Sequence, residues 1–285
     1  MTLSGYLSLI RPVNSLMIGL AVLVGEAVAT STVRLDATTV MGFLTGVFIT
    51  GFSMIINDVL DFEVDKANAA RRPLVMGTVR LGGAEAMAGG TLILGLSASL
   101  YTGLTTFTVA AVFAGVATLY NWKLKERGFS GNVAVALSMM IPFIYGGVLV
   151  EGWTWNPLLY AMGLTAFFAG VGREVIKGIV DVEGDSLRNV RSLARVRGSR
   201  RAAHVGAIFF LLAVSTSLVP PLMAKTSWAY YIVIGATDVL FIYLGVFVVK
   251  WHGREDARRV KKLALVGMFT GMVGFILEGL LRGLM

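Results

Sequence analysis

Nine apolar stretches dominate the chain: Val13–Ser31, Thr38–Ile56, Ala86–Thr102, Thr105–Tyr120, Asn132–Val150, Leu158–Val175, Ala203–Met223, Trp228–Val249 and Leu263–Leu284. Each approaches the ~20 residues that a helix needs to cross about 30 Å of hydrocarbon. With 56% hydrophobic residues and a mean hydropathy of +0.76, the chain lies far outside the range of soluble domains. The fold class that follows is all-α: a polytopic membrane protein, one domain over residues 1–285, with nine transmembrane helices around a central cavity. Met1–Arg11 lacks a basic segment leading into a short apolar core and a small-residue cleavage site, so the first span is expected to be retained. The absence of cysteine excludes disulfides and thiolate metal sites.

Charge placement orients the spans. If the N-terminus is cytoplasmic, all lysines and arginines except Arg34, Lys225 and Arg282 fall on the cytoplasmic side, as the positive-inside rule requires. Trp153, Trp155 and Trp228 then lie at helix ends, where interfacial anchors belong. The net charge of +8 is spread over short loops between apolar runs. That pattern suits anionic lipid or a phosphorylated substrate, and not nucleic acid.

Against this apolar background the acids are conspicuous. Asn57-Asp-Val-Leu-Asp-Phe-Glu-Val-Asp65 directly follows the second run, and Arg71 and Arg72 follow it in turn. Acids at such a place are expensive unless something positive sits among them. Asn57, Asp61 and Asp65 recur every four residues, so a continuing helix aims all three to one side. Oxygen donors of this kind suit magnesium, and the flanking arginines suit an anion such as diphosphate. The competing reading is a solvated polar cap on a helix leaving the membrane.

A second acidic segment, Arg173-Glu-Val-Ile-Lys-Gly-Ile-Val-Asp-Val-Glu-Gly-Asp185, ends the sixth run. Glu174, Lys177, Asp181 and Asp185 share a helical face, and a local Lys177–Asp181 ion pair would account for part of it. Asp181 and Asp185 lie 120 residues after Asp61 and Asp65. The equal offset implies an internal duplication of four helices each, with a ninth helix added, and two acidic helix ends facing one cavity.

These residues resemble the UbiA superfamily of intramembrane prenyltransferases. The pattern Asn-Asp-x-x-Asp-x-x-x-Asp after the second helix is matched by Asn57, Asp58, Asp61 and Asp65, and the later Asp-x-x-x-Asp by Asp181 and Asp185. Within that superfamily, the stretch Arg11–Gly19, Arg173–Lys177 and Val182–Asp185 look most like the archaeal digeranylgeranylglyceryl phosphate synthases. There are three departures: Leu74-Val-Met76 replaces a familiar Ile-Pro-Ser, and Gly178 and Val180 stand where that subgroup often carries acids.

The resemblance implies magnesium-dependent transfer of a geranylgeranyl group from its diphosphate to geranylgeranylglyceryl phosphate, in the cell membrane and from its cytoplasmic side. It implies magnesium on Asn57, Asp61, Asp65, Asp181 and Asp185, with Lys177 and Arg72 offsetting charge on the leaving diphosphate. It also puts Asn14, Lys123 and Lys125 among substrate-binding residues. The alternatives are an aromatic acceptor, as in quinone biosynthesis, and a cation-coupled transporter, which calls for carboxylates near the bilayer midplane. The runs Arg188–Arg201 and Arg254–Lys262 are expected to set topology and face lipid. Glu26, Asp238 and Glu278 fall within spans and receive no assignment.

Overall fold

The computed structural model describes residues 1–67, 70–187 and 190–284; Arg188, from the third-loop basic run, lies outside them. Among the described residues, nine helices are long and apolar enough to cross a membrane. They are α1 Pro12–Thr30, α2 Ala37–Leu60, α3 Leu81–Thr102, α4 Leu104–Trp122, α5 Phe129–Glu151, α6 Pro157–Val180, α7 Ser199–Ser217, α8 Trp228–Lys250 and α9 Arg254–Arg282. A short helix, Val219–Met223, extends the seventh span. The outward faces remain apolar, as at Ile93, Val112, Ile208, Ile232, Val246 and Phe269. Helices apolar inside and out are what a lipid environment selects.

The sequence marks several helix starts. Pro12 and Pro157 occupy first-turn positions, where a missing N–H costs nothing. Asp36 and Asn156 cap α2 and α6 by accepting from the amides of Thr39 (3.0 Å) and Leu159 (3.2 Å). The Thr39 amide, with Arg34 beside it, holds the Asp36 carboxyl below the usual carboxylate range. Several boundaries differ from the sequence reading: α2 and α6 run on to Leu60 and Val180, and α7 starts at Ser199. The third span starts at Leu81, before Ala86. The ninth starts at Arg254, nine residues before Leu263, so the Arg254–Lys262 run forms the opening turns of α9 and buries Ala257 and Val260. Its basic residues alternate with small apolar ones at helical spacing, which a hydropathy window averages away.

Two halves are visible in the backbone. α2 and α6 are both 24 residues long and are offset by 120 positions, as are their capping residues. Each ends in a one-residue break, at Asp61 and Asp181, and then in a six-residue helix, Phe62–Ala67 or Val182–Leu187. Hydrogen bonds repeat at the same offset: Asp65 N–H to Asp61 O at 2.7 Å and Asp185 N–H to Asp181 O at 2.8 Å. The anticipated continuous helix is therefore interrupted once, while its four-residue spacing survives.

In each half the second helix packs on the third, α2 on α3 and α6 on α7. The leading helices α1 and α5 pack on each other across the halves, and α9 closes against α6, α8 and α1. The α1–α5 crossing is close because Gly25 and Gly146 interlock: a Cβ at Gly25 would overlap the Phe143 carbonyl, and one at Gly146 the Val22 carbonyl. Small residues allow such backbone approach in lipid, where no hydrophobic force draws helices together. Gly146→Val should force the two halves apart at a cost of about 1–3 kcal/mol, seen as a lower thermal midpoint in detergent; Gly235→Ala, in open space on α8, should leave the midpoint in place.

Candidate active site

Both helix breaks lie at one end of the bundle, along with Arg11 before α1 and the loop between α4 and α5. Asp58, at the last turn of α2, is 3% exposed. Arg11 donates to its Oδ1 at 2.8 Å, and Arg72 stands 3.7 Å from the same oxygen and 3.5 Å from Asp65. Arg11 holds this position with a left-handed backbone, φ 48° and ψ 71°, a conformation non-glycine residues enter at a cost of about 1–2 kcal/mol. The charge pairing and an Nη1 contact to the Met54 sulfur at 3.3 Å hold it there. Asp61 is paired with the Lys125 ammonium. Asn57 donates to Asn121 Oδ1 at 2.9 Å, and Asn121 donates to the Ser53 carbonyl at 3.2 Å. Asn57 therefore keeps its own carbonyl oxygen for the cavity that it lines.

That cavity, of about 250 Å³, is bounded by Arg11, Ser53, Asn57, Asn121 and Ser138 above an apolar wall that includes Phe113 and Val116. A larger one, about 690 Å³, is lined by the second acidic segment with Glu174, Lys177, Asp181, Glu183 and Asp185, faced by Lys125 and Asn132. Tyr120 and Val135 line both. Lys125 connects them electrostatically, since it lines the larger cavity while its ammonium rests on Asp61. Among α1, α2, α4 and α5 lies a small, mainly apolar pocket of about 30 Å³, lined by Val22, Ile49, Phe113 and Tyr145 together with Thr45 and Thr50.

The structure thus brings Asn57, Lys125, Lys177, Asp181 and Asp185 to the cavity walls and holds Asp61, Asp65 and Arg72 through ion pairs beside them. Two expected residues lie elsewhere. Lys123 is exposed, with its ammonium 4.0 Å from the Trp122 ring centre; Asn14 is exposed on the first turn of α1. Neither is among the residues lining these cavities. Lys177 pairs with Glu174 at 3.0 Å, not with Asp181, and Arg173 donates to Glu174 at 2.6 Å. Sequence reasoning passed over Asp58 and Arg11 as ligand-handling groups and missed Asn121. The signal for Asp58 was present, because an acid beside Asn57 points off the shared stripe and needs its own counter-charge. Asn121 carries no such signal, standing 64 residues from its partner.

Among the described residues, no three acids or histidines form a closed metal cage. The donors nevertheless fit magnesium, which binds through one or two carboxylates together with phosphate oxygens and water. The ion pairs of Asp61 and Asp65 each engage Oδ2, and hard oxygen donors stand at the lips of two adjacent cavities. Removing Asp58 would leave Arg11 without its carboxylate and Arg72 with Asp65 alone. Because Arg11 and Arg72 are about one-third open to solvent, Asp58→Ala should cost about 2 kcal/mol, below the full penalty for a broken buried pair, read as a thermal shift relative to wild type.

A family model for UbiA prenyltransferases matches residues 18–271. A digeranylgeranylglyceryl phosphate synthase of Archaeoglobus fulgidus is 38% identical over 271 residues, spanning 94% of this chain and 92% of the relative. That of Thermococcus kodakarensis is 30% identical over 282 residues, with 99% and 100% coverage. A solved digeranylgeranylglyceryl phosphate synthase superposes with a TM-score of 0.88 at 28% identity, over 98% of both chains. A UbiA homologue from Archaeoglobus fulgidus, solved with GPP and Mg2+, shares the fold with a TM-score of 0.70 at 21% identity, over 95% of this chain and 99% of that one. The chain is an integral membrane protein and belongs to the UbiA prenyltransferase family.

Proposed function

We propose that this prenyltransferase joins a geranylgeranyl group, carried as its diphosphate, to the free hydroxyl of geranylgeranylglyceryl phosphate. The observation that carries the reading is the pair of adjacent cavities that share Tyr120 and Val135, one lined by Asn57 of the first acidic segment and the other by Asp181 and Asp185 of the second. The named relatives support the same acceptor. Carboxylates at helix ends disfavour a transporter, whose ion site belongs at the midplane.

In this reading Asn57, Asp61, Asp65, Asp181 and Asp185 hold magnesium against the donor's diphosphate. When bound, magnesium neutralises charge on the leaving group; GPP and Mg2+ occupy the related fold together in the Archaeoglobus homologue. Arg72 and Lys125, already seated on Asp65 and Asp61, turn toward the diphosphate as its charge grows, and Lys177 does so from the opposite lip. The allylic C1–O bond breaks, and diphosphate departs with the electron pair. The apolar wall through Phe113 and Val116 keeps water from the carbocation. The acceptor hydroxyl oxygen then forms the ether bond to C1, and its proton passes to the released diphosphate. The prenyl tail lies in the apolar interior or the adjoining lipid. The basic loops set the N-terminus and both lips on the cytoplasmic side of the cell membrane.

Asp61→Ala and Asp181→Ala should each lower turnover at least about 100-fold while the protein stays folded, as loss of groups that organise the leaving-group charge predicts. Diphosphate release and product mass spectrometry are the readouts. Wild-type rates in both variants, or activity indifferent to chelation, would sink the two-lip mechanism; efficient prenylation of 4-hydroxybenzoate with none of the glyceryl phosphate would sink the acceptor.

Sidedness is tested on single cysteines, which the native chain lacks. Replacements at the exposed positions Glu63, Glu126 and Glu183 should react with an impermeant maleimide only from the cytoplasmic face, and one at Val33 only from outside. Opposite labelling at positions 63 and 183 would break the parallel relation of the two halves.

A further inference from the structure

Among the described residues the Ser192 hydroxyl has no hydrogen-bond partner. Ser192 directly precedes the short helix Leu193–Arg197, where a serine ordinarily accepts an amide bond as a cap, yet its side chain makes none. It is 6% exposed, and its Oγ finds no hydrogen-bond partner among the described residues. Leaving a buried hydroxyl unsatisfied costs about 1–3 kcal/mol. Ser192 is among the residues that line the larger cavity.

Its backbone is fixed. Arg191 donates its amide to the Glu126 carbonyl at 3.0 Å. Gly128, with φ at +59°, is obligatory opposite it, because a Cβ there would overlap the Arg191 carbonyl. Beside Ser192 stands Gly178 of α6, where a Cβ would lie 3.5 Å from the serine Cβ and 3.9 Å from its Oγ. A glycine at that spot leaves open floor next to an unsatisfied donor. Arg254, at the start of α9, lines the same cavity. Its partner is Glu183 at 3.0 Å, a pair in which both side chains are more than half exposed, so the guanidinium exchanges it for a better anion at little cost.

We propose that Ser192 Oγ, the space at Gly178 and the Arg254 guanidinium form the subsite for the phosphate of the glyceryl phosphate acceptor. This rests on the function proposed above and names where its second substrate is read. A phosphomonoester offers acceptor oxygens alone, and a hydroxyl with a guanidinium fork supplies the donors that it lacks. The other cations near the two cavities hold closer or less exposed pairs: Lys125 with Asp61, Lys177 with Glu174, Arg72 with Asp58 and Asp65, and Arg11 with Asp58. Asp181, Glu183 and Asp185 also line this cavity, and Ser192 and Gly178 add no charge of their own to the wall that takes the headgroup.

The test uses the full chain in detergent, with KM measured separately for geranylgeranylglyceryl phosphate and for geranylgeranyl diphosphate. Ser192→Ala and Arg254→Gln should each raise the acceptor KM about tenfold, the size of a lost hydrogen bond to a charged group, with donor KM and kcat little changed. Ser192→Thr, which keeps the hydroxyl, should restore acceptor affinity. Gly178→Asp should weaken the acceptor more than Gly178→Asn, since the two differ in charge and not in bulk. The thermal shift produced by the acceptor alone, without donor or magnesium, should shrink in the same order. An unchanged acceptor KM in Ser192→Ala and Arg254→Gln, or a rise in the donor KM instead, overturns the subsite while leaving the function intact. A wild-type protein that does not turn over the glyceryl phosphate overturns both.

Discussion

A carboxylate buried where a membrane helix ends must be neutralised locally, and the first acidic segment is organised by that requirement. Asp58 cannot reach bulk water, so Arg11 and Arg72 come to it from opposite directions in the sequence. Arg11 does so at the expense of a strained backbone, which fixes where the chain enters α1. Arg72 does so while also serving Asp65, which draws the loop after Phe62–Ala67 back over the helix end. Neutralising one buried acid thus sets the positions of the N-terminal segment and of the arginine loop. Asp61 is left to Lys125, arriving from the loop between α4 and α5. The cations around these acids are held by salt bridges that a diphosphate can replace, so they are already at hand when charge develops on a leaving group.

The second half uses the same backbone plan with different counter-charges. Its break, its six-residue helix and its hydrogen bonds repeat those of the first at a constant offset. Arg173 and Lys177, from the same helix, neutralise Glu174, and Arg254 reaches Glu183 from the start of α9. The cavity at this lip is the wider, about 690 Å³ against about 250 Å³. Duplicated backbone with unequal side chains gives two lips of similar geometry and different room, which suits a reaction joining two unlike substrates.

Much of this was legible without coordinates. Nine apolar runs and their charged connections gave the helix number because lipid leaves a chain few other ways to satisfy its backbone. The two acidic segments were legible because acids beside long apolar runs are rare and these recur at a fixed offset. Local spacing failed where partners are remote. The Lys177–Asp181 pair looked natural at four residues, but the helix breaks at Asp181 and Lys177 turns back to Glu174. Arg254 read as part of a topogenic run, yet α9 begins there and carries it to the cavity wall. Asn121 and Ser192 could not be found in advance, since an isolated polar residue announces nothing until the surface against it is known.

The three ionisable residues inside spans that the sequence left open show how the opposite end of the bundle is held. Glu278 is fully buried and accepts from the amide and hydroxyl of Ser227, at 3.0 and 2.6 Å, and from Arg282 at 3.1 Å. One carboxylate thereby ties the start of α8 to the last turns of α9, next to the amides that a negative charge favours. Glu26 accepts from Thr39 at 2.7 Å, joining the end of α1 to the start of α2. Asp238 accepts from the Ser217 hydroxyl at 2.9 Å, joining α8 to α7. None of the three contacts a cation that is free to follow a ligand, and each pins neighbouring helices. The acids at the two ends of the bundle therefore differ in kind. Those far from the cavities are each bonded to a hydroxyl or amide that cannot leave, even where a cation, Arg282 on Glu278 or Arg34 near Glu26, stands beside them. Those at the lips are bonded to long cationic side chains that can, and this difference in partner separates a structural carboxylate from one able to take part in chemistry.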